Sequence, residues 1–144
     1  MNVKRVIITT GRDVAGHTWE MTALHCFGNH DLSVEAVPVV MAGDLDPTGI
    51  NMDDLPNPVG KVIAFHEHPE CVVAEMEIFA EPMYENIRAE GLMDVLEYQV
   101  FIAIVETVGP SGLEIKSVVP KAIIVAPEHF KVFPNIEKFR HLEK

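Results

Sequence analysis

Positive charge is scarce in this chain: 11 Lys and Arg stand against 22 Asp and Glu, a formal net charge of −11. A surface this acidic repels phosphate backbones, and the few basic residues form no cluster, because Lys138, Arg140 and Lys144 alternate with Glu137 and Glu143. Direct nucleic-acid binding is therefore not expected. Long apolar runs are missing too. No stretch approaches the ~18 residues of a transmembrane helix, and the apolar part of MNVKRVIITT is too short for a signal peptide, so the chain reads as intracellular with no membrane partner. Cysteine is limited to Cys26 and Cys71. Two distant cysteines in a reducing cytoplasm are far more often free and buried than paired.

What remains is the composition of a folded protein, 48% hydrophobic and 23% charged over 144 residues, enough for one domain with a real core. VKRVIITT is rich in β-branched residues and predicts a strand, followed by a turn at Gly11, Arg12 and Asp13. Thr18 to Cys26 partly alternates and reads as a second strand, and SVEAVPVVMAG as a further extended stretch. GDLDPTGINMDDLPNPVG is a loop, dense in Pro, Gly and Asp. KVIAF and CVVAEMEIF then flank HEHPE in a hairpin pattern, and EYQVFIAIVETV and LEIKSVVPKAIIVA, joined by GPSG, predict a second and central hairpin. Between the hairpins, Pro82 suits a first helical turn, Met83, Ile87 and Leu92 share a face, and Gly91 is a natural stop. The expected fold is α+β: a mostly antiparallel sheet or barrel with one main helix over about residues 82–90. Residues 1–128 form the domain, and 129–144 a C-terminal arm or short helix in which Ile136 and Phe139 share a side.

The densest group of reactive side chains is HEHPEC, residues 66–71. His66 and His68 at i and i+2 fall on one face of an extended chain, and neutral imidazoles ligate zinc, iron, nickel and copper, so His66, His68 and Glu70 are the metal candidates. GKVIAFHEH also resembles the opening of the first cupin metal motif. That motif needs a glutamate four or five positions past the second histidine, where this chain has Val72 and Val73, and a later third histidine in a strand, for which His129 and His141 are unsuited. A polar hairpin tip accounts for the segment more simply, since its backbone faces water.

Other chemistry leaves less trace. There is no G-x-S-x-G, no phosphate-binding glycine loop and no HExxH, and no cofactor is expected. Asp44, Asp46, Asp53 and Asp54 lack the glutamate that would complete a calcium loop. Nothing in the spacing couples Ser33, Ser111 or Ser117 to a particular histidine.

From Val37 to Pro127 the order of features resembles the prohead maturation proteases of tailed phages, whose fold is shared with the herpesvirus assemblins. The segments that carry the likeness are VPVVMAGDLD, NPVGKVIAF, CVVAEMEIF, the Met83 to Gly91 helix, DVLEYQVF and PKAIIVAP, about two thirds of the chain. The resemblance implies where reactive groups should stand. Its loop histidine falls at Gly43 or Asp44, its strand serine at Glu97 and the hydroxyl of its last strand at Ala122, none of which can fill those roles. It thus implies a protease-like fold without a catalytic residue. The expectation is a noncatalytic virion protein, made in the host cytoplasm, that decorates the capsid as a homo-oligomer and contacts the major capsid protein. The alternatives are an active serine-type prohead protease using Ser117 with His66 or His68, and a small metal-dependent enzyme built on His66, His68 and Glu70. Candidate partner contacts are Trp19, Asp44 and Asp46 of the acidic loop, and Phe130, Phe133 and Phe139. Plain burial is the competing explanation for each aromatic.

Overall fold

The computed structural model describes residues 2–14, 16–41, 58–78, 96–108, 113–127 and 133–143. The expected helix over residues 82–90 lies outside them, as do Gly43, Asp44, Asp46 and Phe130.

The chain is α+β and barrel-like: one sheet that nearly closes on itself, with a short helix packed on it. Its strands are β1 (Asn2–Thr9), β2 (Gly11–Arg12), β3 (Thr18–Trp19), β4 (Pro38–Met41), β5 (Gly60–Glu67), β6 (Cys71–Ile78), β7 (Leu96–Val108) and β8 (Glu114–Pro127), and helix α1 spans Met21–Gly28. The order across the sheet is β1-β6-β5-β4-β8-β3-β2, with β7 on the other edge of β8. β8 is therefore central. It pairs antiparallel with β7 along its length, while its opposite edge takes β3 in parallel at Glu114 and Ile115 and β4 in parallel at Ile123 to Val125.

Both expected hairpins form. β5 runs through Glu67, so His66 and Glu67 belong to the strand and the connection is only His68, Pro69 and Glu70, closed by the His68 amide donating to the Cys71 carbonyl at 2.8 Å. Prolines sit where a ladder tolerates them: Pro38 opens β4, and Pro120 lies at the bulge that leaves Lys121 unpaired opposite Phe101 and Ile102. Close approach sets one glycine, because a Cβ on Gly60 would run into the Glu77 carbonyl across the β5–β6 pair.

Residues 18–26 are not a second strand. Only Thr18 and Trp19 form a strand; α1 then turns Ala23, Leu24 and Phe27 into the core, a helical spacing in which Leu24 and Phe27 are fully buried. The Gly28-Asn29 pair ends it, with the Asn29 amide donating to the His25 carbonyl at 2.9 Å. At eight residues α1 is too short to be stable alone, so its helicity comes from packing on the sheet.

The C-terminal segment forms a 3-10 helix over Ile136–Glu143 that packs on β1. Ile136 is buried, and Glu143 accepts a hydrogen bond from the Val6 amide at 2.9 Å, while Arg140 holds the same carboxylate oxygen at 3.0 Å. Val6 stands at the β1 bulge where the register with β6 skips Ile7. The helix thus satisfies a strand-edge donor with a side chain, which keeps that edge from recruiting another strand.

Candidate functional site

The HEHPEC segment opens onto a groove of about 630 Å³ between the end of β5, the C-terminal end of α1, β1 and the C-terminal helix. Phe65, Val73 and Leu142 give it an apolar lining, and Lys4, Asn29, His66, Glu67 and His68 a polar one. Its shape depends on packing by the helix. Phe27 of α1 meets Phe65 edge to face at 5.4 Å between ring centroids, and Gly28 leaves room for Glu67, whose carboxylate would collide with any Cβ there.

The charged groups form two sets. His25 on the exposed side of α1 contacts Glu67 through Nδ1, tying the helix to the strand end. Across the β5–β6 pair, Glu75 lies 3.4 Å from His66 Nε2 and 3.8 Å from Lys4 Nζ, so one carboxylate links β1, β5 and β6. These pairs are largely exposed, and each is worth at most about 1 kcal/mol. Just past α1, His30 Nε2 lies 2.8 Å from the Glu35 carbonyl, and the Ser33 hydroxyl and amide donate to Asp31, holding its carboxyl below the ordinary value.

His66 and His68 do line one groove, but the carboxylate beside His66 is Glu75, not Glu70. That residue is exposed on the hairpin loop, where its carbonyl accepts from the Thr10 amide at 2.9 Å. Among the described residues no group of three or more His, Cys, Asp or Glu is arranged to hold a metal ion.

Two aromatics expected at partner contacts are core residues. Trp19 is 6% exposed and Phe133 5%, and their rings meet edge to face at 5.6 Å, so packing within the chain, not contact with a partner, explains them. Phe139 is half-buried against the same core. Sequence reasoning missed what holds Trp19. Asp13, 8% exposed, accepts from the indole Nε1 and from the His17 amide, each at 3.0 Å, with His17 Nδ1 3.8 Å away. The available signal was the lone tryptophan itself, whose buried N–H requires an acceptor.

Ser117, the serine singled out as an alternative nucleophile, has the Cys26 thiol as its side-chain neighbour at 3.8 Å, and that thiol also lies 3.4 Å from the Thr22 carbonyl. Ala122 is fully buried in β8. The two cysteines differ in reach: Cys26 is half-buried, whereas Cys71 is inaccessible and burial pushes its thiol up to about 11. Iodoacetamide at about pH 8 should therefore add one label, on Cys26, since Cys71 is both enclosed and ionised to only about one part in a thousand. Peptide mass mapping checks this, with both cysteines labelled after denaturation; rapid labelling of Cys71 in the native protein would contradict its enclosure.

Among the described residues no helix is long and apolar enough to cross a membrane. No protein-family model, curated protein or solved structure matches the chain.

Proposed function

We propose that this chain is a noncatalytic structural subunit of a tailed-phage virion, a decoration or cement protein that binds the outside of the expanded head as a homo-oligomer and bridges major capsid subunits. The observation that carries the reading is the content of the positions where the resemblance to prohead proteases calls for reactive groups. Gly43, Glu97 and Ala122 stand there, and Ala122 is a methyl group enclosed by the sheet. An acyl-enzyme mechanism needs a hydroxyl or thiol within hydrogen-bond reach of a base. Ser117, the nearest substitute on β8, has a thiol beside it instead.

Two further features support a binding role. The C-terminal helix covers the edge of β1, which suits a stable module that must not polymerise through its own strands. A net charge of −11 suits a protein at the outer face of a shell, held away from the packaged DNA.

Cosedimentation with unexpanded and expanded shells of the encoding phage, with the scaffold followed on the same gel, tests the proposal. The expected result is saturable binding to expanded shells with the scaffold intact. Scaffold cleavage that disappears in Ser117→Ala would replace this reading with the protease one.

A further inference from the structure

We draw no further inference here: the strongest candidate, the open groove between the end of β5, the C-terminal end of α1, β1 and the C-terminal helix, carries nothing because its Glu67 and Lys4 already pair with His25 and Glu75, and nothing in the structure shows what covers it.

Discussion

Trp19→Ala should lower the stability of the protein by about 4 kcal/mol, a fall in Tm of roughly 10–15 °C. Two losses combine. The ring leaves a cavity against Phe133 in the core, and the Asp13 carboxylate, itself buried, loses the indole donor. Trp19→Phe shifts the balance between them, because it keeps an aromatic ring against Phe133 while removing the N–H and only part of the ring volume. It should cost about 1–3 kcal/mol, the range for leaving a buried acceptor one donor short. A further Asp13→Asn change should then cost less in the Trp19→Phe background than in the wild type, since the two side chains share one interaction. Thermal unfolding followed by circular dichroism measures all four proteins. A Trp19→Ala variant as stable as the wild type would show that the tryptophan is a surface contact after all.

Ile136→Asp should be comparably damaging, at about 3 kcal/mol or more, because it sets a carboxylate in a site only 2% exposed. Its consequence is also local. Releasing the C-terminal helix removes Glu143 from the Val6 amide and uncovers the edge of β1. Hydrogen exchange at Val6 should accelerate beyond that of its neighbours on β6, and the variant should associate as its concentration is raised. Glu143→Gln, which keeps an acceptor oxygen and the helix packing, should show neither effect. Retained protection of Val6 in Ile136→Asp would mean that the helix does not guard that edge.

The parts of the fold legible in the sequence are those in which local pattern and tertiary environment agree. The β5–β6 hairpin could be read because two β-branched, apolar runs flank a short polar connection, and the β7–β8 hairpin because GPSG separates two long ones. Helix α1 could not. Met21 to Gly28 contains a threonine, a histidine and a cysteine, none a strong helix former, and follows directly on the extended Thr18 and Trp19, so its partial alternation imitates a strand. Its helical state is set by Ala23, Leu24 and Phe27 meeting a sheet whose members lie elsewhere in the chain. The parallel pairings of β3 and β4 with β8 are likewise long-range, and no hairpin signal announces them.

The site was half legible for the same reason. HEHPEC stood out by composition, and His66 and His68 do share a groove. Their neighbours did not stand out: Glu75 lies across the strand pair, Lys4 comes from β1, and Asn29 and His25 arrive with the helix that the pattern concealed. Asp13 looked like an ordinary turn residue. Its buried role depends on Trp19 folding back over it, a relation visible only in three dimensions.

Electron cryomicroscopy of expanded shells incubated with the purified protein, compared with untreated shells, tests the decoration role most directly. Added barrel-shaped density on the outer surface at repeated symmetry positions is the predicted result. Shells without added density, or the protein found only inside unexpanded shells alongside cleaved scaffold, would contradict it.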